Sequence, residues 1–142
     1  MPSEKALQRA TELVRLVGRL RRQLRGRVGR VLDAQGESLH AWQVIANVKW
    51  QGPMTQGALA DHIGVHAAVV SRLLGGLEEK GLIRRVGDAR DRRCITVRLT
   101  PKGEAWYTRT HGAPMSELHE VVSRLSRGEQ AELERLLLKL IA

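Results

Sequence analysis

Apolar residues along the first third of the chain recur at spacings of three, four and seven. Leu7, Ala10, Val14, Val17, Leu24, Val28 and Val31 form one stripe, which Leu13, Leu16 and Leu20 widen. That is one face of an α-helix, and it predicts a long helix over residues 3–32 with Ser3 as its N-cap. Arg21 interrupts the stripe. A helix of this length has more apolar face than a small domain can cover, so it calls for a partner helix, which a second copy of the chain would supply.

The next segments are short and sharply punctuated. Residues 33–37 read as a turn centred on Gly36, and Ser38 can cap a helix over 39–50 that Gln51-Gly52-Pro53 ends. Thr55 can cap a third helix, 56–63. Gly64 then makes a single tight turn into a fourth helix, from 65 or 66 to 80, with Gly81 as its stop. Leu59, Ala60, Ile63, Val65, Val70, Leu73 and Leu77 supply the apolar face of this helix-turn-helix pattern. After Gly81 the period changes. Leu82-Ile83 and Ile95 to Leu99 read as two strands, joined by the basic stretch 84–93 as a hairpin with an exposed tip, a wing.

Thr100-Pro101 opens a helix in the favoured order of cap then proline, and it runs toward Arg109. Gly112 and Pro114 interrupt it near His111, and a further helical stretch runs from Met115 to Leu125. Ser126 and Glu129 form a capping box for a last helix striped by Leu133, Leu136, Leu137 and Leu140. The predicted fold is mainly α: a winged helix-turn-helix with a two-stranded wing, flanked by terminal helices that dimerise. The expected boundaries are 1–35 for an N-terminal dimerisation helix, 36–103 for a DNA-binding domain and 104–142 for C-terminal dimerisation helices.

Charge sharpens this picture. In 142 residues, 24 Lys and Arg stand against 15 Asp and Glu, a net +9. Such an excess attracts polyanions, nucleic acid or an anionic membrane surface. No apolar run approaches the ~18 residues of a membrane span, and no apolar stretch follows Met1 to Lys5 as in a signal peptide. The expected compartment is the cytoplasm, with the nucleoid when bound to DNA, and no membrane partner is expected. Arg15, Arg19, Arg21, Arg22, Arg25, Arg27 and Arg30 stand in a stretch with no acid until Asp33. They form either a solvated basic face or a surface for phosphate or an acidic ligand. No nucleophile–base pair, Gly-rich phosphate loop or HExxH motif is present, so an enzyme is not expected, nor is a cofactor.

Residues 55–60, Ile63-Gly64-Val65, residues 77–85, Asp91-Arg92-Arg93 and Leu99 to Gly103 together resemble the multiple antibiotic resistance regulator (MarR) family of bacterial transcription factors. Ser38 to Ile45, with Trp42 in the family's aromatic position, and Leu125 to Glu129 fit as well. The resemblance implies a homodimer that binds pseudo-palindromic double-stranded DNA and is released by small phenolic or other aromatic ligands, or by oxidants. The chain departs from the pattern at Ala67 and Ala68, where many members carry polar residues. It departs again at Ala41, where a Gln is usual. Gly75-Gly76 inside the fourth helix implies close packing or a softer helix.

Side chains near the N-terminus of a major-groove helix read bases. Here they are His66, Ala67, Ala68, Ser71 and Arg72. Arg72 can pair with guanine, or be taken up by Glu78, Glu79 or another nearby acid; Ser71 can bond to a base or a phosphate; an Ala can sit against a thymine methyl; His66 can touch phosphate or only cap its helix. By resemblance Arg93 enters the minor groove, Asp91 orients it, and Arg90 and Arg92 flank phosphates. About four phosphates neutralised per protomer would give a log–log salt slope near −7. For an effector, the resemblance points to His40, Trp42, Trp106, Tyr107 and His111, with Arg15 or Arg19 for an acidic group. The alternative is that the aromatic residues simply pack. Cys94 could sense oxidants, since neighbouring arginines lower a thiol pKa. His111, Glu117, His119 and Glu120 lack the spacing of a zinc site, and none is expected.

Overall fold

The computed structural model describes residues 1–87, 90 and 94–142, as seven helices and three strands. It divides into two units, 1–28 with 113–142, and 29–112. Helix α1, Glu4–Ala34, runs through the first boundary. Its start is capped by Ser3, whose Oγ accepts from the Ala6 amide at 3.2 Å.

The first unit holds most of α1 together with α6 (Gly112–Val122, from residue 113) and α7 (Arg127–Ile141). Ser126 and Glu129 close the predicted capping box, at 3.2 and 2.9 Å. Arg27 holds Glu117 at 3.0 Å and Glu120 at 3.4 Å. Much of the apolar stripe stays at the surface: Leu7, Leu13, Leu16 and Leu20 on α1, and Leu133, Leu136, Leu137 and Leu140 on α7.

The second unit carries α2 (Leu39–Gln51), β1 (Met54–Thr55), α3 (Gln56–Ile63), α4 (Ala67–Glu79), β2 (Ile83–Gly87), β3 (Ile95–Leu99) and α5 (Pro101–Thr110). Its core is aliphatic, built on Leu32, Ile45, Leu59, Leu74, Ile83 and Val97, all fully buried. The strands form one antiparallel sheet in the order β1-β3-β2. Ile83 faces Leu99, Arg84 faces Arg98 and Arg85 faces Val97, while Met54 of β1 faces Val97 from the other side. The sheet thus has one strand more than the sequence pattern predicts, and β2 extends to Gly87, into the basic stretch read as the hairpin between the strands. Helix α5, which a boundary at 103/104 would cut, lies whole in this unit.

Local chemistry explains the sharp joints. Thr55 and Thr100 cap α3 and α5 through their hydroxyls, accepting from the amides of Ala58 and Gly103. Gly64 ends α3 at φ 78°, ψ 38°, a left-handed conformation natural to glycine, and its amide closes on the Ala60 carbonyl at 2.8 Å. At Gly103 the need is steric: a Cβ there would lie 2.1 Å from the Leu82 carbonyl oxygen.

Candidate nucleic-acid interface

Helix α4 is amphipathic in the sense needed to present a reading face. Val70, Leu74 and Leu77 are buried against the unit, while Ala67, Ala68, Ser71 and Arg72 are all exposed on its first two turns. No acid stands in the first turn, so the positive end of the helix dipole is uncompensated there and favours phosphate. His66 holds the N-cap position in extended conformation, yet its side chain makes no capping bond. The structure therefore brings together five of the sequence-predicted contacts on one surface. Arg72 is not taken up by Glu78, whose carboxylate is occupied by another residue.

That residue is Arg85, on β2. Its amide donates to Glu78 Oε2 at 3.0 Å, and its Nη2 lies 3.3 Å from Glu78 Oε1. Its Nη1 reaches the Ser71 carbonyl at 3.4 Å and Gln56 Oε1 at 3.5 Å. The Arg85 amide, and then its guanidinium, hold the Glu78 carboxyl below its ordinary range. Sequence reasoning placed Arg85 in the basic hairpin stretch of the wing and gave it no role of its own, because nothing in spacing says which arginine meets which acid. It also passed over Arg84 and Arg98, two exposed arginines directly opposite on paired strands. Like charges in that relation oppose pairing unless an anion sits across them.

Arg90 is exposed. The remaining wing residues expected to meet DNA, Asp91, Arg92 and Arg93, lie outside the described residues.

The candidate effector residues are spread over both units. Arg15 and Arg19 are on α1 in the first; Arg15 pairs with Glu12. In the second unit Trp42, Trp50, Tyr107 and His111 pack together. Trp42 stacks on Tyr107, with ring centres 5.9 Å apart, and Tyr107 stacks on His111 at 4.9 Å. Trp50, which neither spacing nor resemblance singled out, meets Trp42 edge-on and donates its indole N–H to the Tyr107 hydroxyl at 2.9 Å. Trp106 donates to Glu37 at 3.1 Å and lines a cavity of about 390 Å³ together with Lys80, Lys102 and Arg109. His40 and Arg72 line a smaller one, about 200 Å³, on α2 and α4. Of the residues considered for zinc, Glu117 and Glu120 are engaged by Arg27. Cys94 is exposed just before β3.

A family model described as MarR family matches residues 36–93. The chain is 33% identical over 101 residues to the multiple antibiotic resistance protein MarR of Salmonella typhimurium, covering 70% of each. This chain belongs to the MarR family. Members of the MarR family are transcription regulators rather than enzymes. A putative transcriptional regulatory protein for the hcr operon of Thauera aromatica is 36% identical over 98 residues, covering 69% of this chain and 57% of its own. Among solved structures, the transcriptional regulator PA3341 superposes with a TM-score of 0.78 at 31% identity, over 91% of this chain and 95% of that one. A mutant MarR from E. coli, solved in complex with operator DNA, shares the fold at a TM-score of 0.72 and 23% identity, over 92% and 94%. The winged-helix fold read from the sequence is thus the fold of MarR-family regulators.

Proposed function

We propose that this protein is a homodimeric repressor that reads a pseudo-palindromic operator and is released by a small aromatic or phenolic ligand. Residues 65–80 enter the major groove and the wing, 84–98, the minor groove. Helices in 1–35 and 104–142 join two protomers. One observation carries the reading: a helix after a tight turn exposes Ala67, Ala68, Ser71 and Arg72 together at its N-terminal end, with no acid among them. Arg72 would pair with guanine, the alanines would meet thymine methyls, and Ser71 and His66 would bond base or phosphate. Arg90, Asp91, Arg92 and Arg93 would form the second contact.

The dimer is supported by exposed leucines on α1 and α7, and by an apolar groove of about 340 Å³ along α7 lined by Leu133, Leu137 and Ile141. Soluble monomers seldom leave a row of leucines on each of two helices in water. For the ligand, the cavity beside Trp106 is lined by apolar Leu77 and Leu82, by Lys80, Lys102 and Arg109, and by one acid, Glu37; the excess of cations suits an aromatic acid. His40, Trp42, Tyr107 and His111, with Arg15 or Arg19, remain candidates for the same role.

A second reading is a non-specific nucleic-acid-binding module, for RNA or architectural DNA, on the same fold. The two alanines favour it, since neither can make a directional bond to a base. Selection of bound duplexes from a random library separates the two. An operator reader enriches an inverted repeat whose half-sites are about one helical turn apart. A non-specific module enriches no motif.

A further inference from the structure

The Arg85 side chain turns back from the wing strand and crosses α4. Its fork touches Glu78, the Ser71 carbonyl and Gln56, so α3, α4 and β2 share one cation. Even a Cβ at Gly75 would lie 3.7 Å from Nη2, which places the fork against bare helix at that point. Glu78 is the only partner that takes both the amide and the guanidinium of Arg85 among the described residues, a two-point attachment at the root of the wing.

We infer that Arg85 is a positioning residue which, through Glu78, fixes the angle between the wing and α4 so that both can engage one half-site together. This rests on the operator-reading function above. It differs from a direct phosphate contact in the sign of its consequences. Glu78 puts a negative charge beside a proposed DNA-binding face, and simple electrostatics says that removing it strengthens binding, both by lowering repulsion and by freeing Arg85. Positioning says that removing it weakens binding. Likewise a phosphate contact survives a change of Arg85 to lysine, which keeps the charge, whereas a fork spanning three partners does not.

The test compares the full-length wild type with Glu78→Gln, Arg85→Lys and the double variant, by fluorescence anisotropy on a library-selected operator and on a scrambled duplex at one salt concentration. Thermal melts run alongside. Each single variant is expected to lose about tenfold on the operator, the scale at which linking networks tune coupled sites, and little on the scrambled duplex. The double variant is expected to be no worse than either single one. Tighter or unchanged operator binding by Glu78→Gln overturns the inference. So do equal losses on both duplexes with lowered melting temperatures, which mark a merely structural pair. A wild type that prefers neither duplex takes down the operator-reading function, and this inference with it. A wild type that prefers the operator, with variants that keep that preference, removes this inference alone.

Discussion

Replacing Gly103 by alanine tests the packing that joins α5 to the wing root. In a helix, Gly→Ala ordinarily stabilises by roughly 0.5–1 kcal/mol. At Gly103 the added Cβ would sit 2.1 Å from the Leu82 carbonyl oxygen and 3.1 Å from its carbon. Relief needs a shift of about 1 Å, since contacts below van der Waals distance rise steeply in energy. Neither side yields easily. The Leu82 carbonyl accepts the Thr100 amide at 3.1 Å, and the Leu82 amide donates to the Leu77 carbonyl at 3.0 Å. The Thr100 hydroxyl donates to the Gly81 carbonyl at 2.5 Å and caps α5 by accepting from the Gly103 amide at 3.0 Å. Overpacking costs about 1–3 kcal/mol. A weakened hydrogen bond adds about 1 kcal/mol. After the helix-propensity gain, the net is a destabilisation of about 1–3.5 kcal/mol. Gly76→Ala on α4 is the control: nothing lies within 4 Å of its added Cβ, so it should stabilise by about 0.5–1 kcal/mol. Urea unfolding at one protomer concentration measures both. A Gly103→Ala variant as stable as the wild type would refute the close approach.

Other substitutions check the remaining parts. Tyr107→Phe removes the hydroxyl that accepts the Trp50 indole N–H; it should lower stability by about 1 kcal/mol and shift the tryptophan emission, read by urea titration. Arg72→Ala should cost about 1–3 kcal/mol on the operator and less on scrambled DNA, read by anisotropy. The Glu78 pKa is lowered on folding, so its contribution to stability is present above its ordinary value of 4.5 and is lost as pH falls through the lower folded value. The stability difference between wild type and Glu78→Gln should therefore vanish in acid titrations monitored by circular dichroism; a difference that grows as pH falls contradicts the ion pair.

Much of the fold was legible because its joints are local chemistry. Ser38, Thr55, Thr100 and Ser126 cap helices where a hydroxyl precedes an apolar period, and Gly64 closes α3 where only a left-handed residue fits. Strand β1 was hidden because two residues, Met54 and Thr55, carry no period; pairing with Val97 and Thr96 makes them a strand. Strand β2 was read too short because Arg84, Arg85 and Val86 form no apolar run, and their extended form comes from the ladder with β3. The exposed face of α4 follows from helical period alone. The hold of Arg85 on Glu78 does not, since it depends on how a strand returns across a helix. Gly75-Gly76 pointed to tight packing or a soft helix, and nothing lies near a Cβ at Gly76, which leaves softness there. The aromatic residues were legible as a group, but whether Trp42 and Tyr107 face a ligand or each other is a matter of tertiary packing, and they stack on each other.

The central claim is that this surface reads sequence. Fluorescence anisotropy of the purified protein on its own upstream intergenic duplex, against a scrambled duplex across a salt series, tests it most directly. The account predicts preference for the native duplex by about 10³ and a log–log salt slope near −7, as expected for about eight phosphates neutralised by a dimer. Equal affinity for both duplexes at every salt concentration, or no binding at low salt, would contradict it.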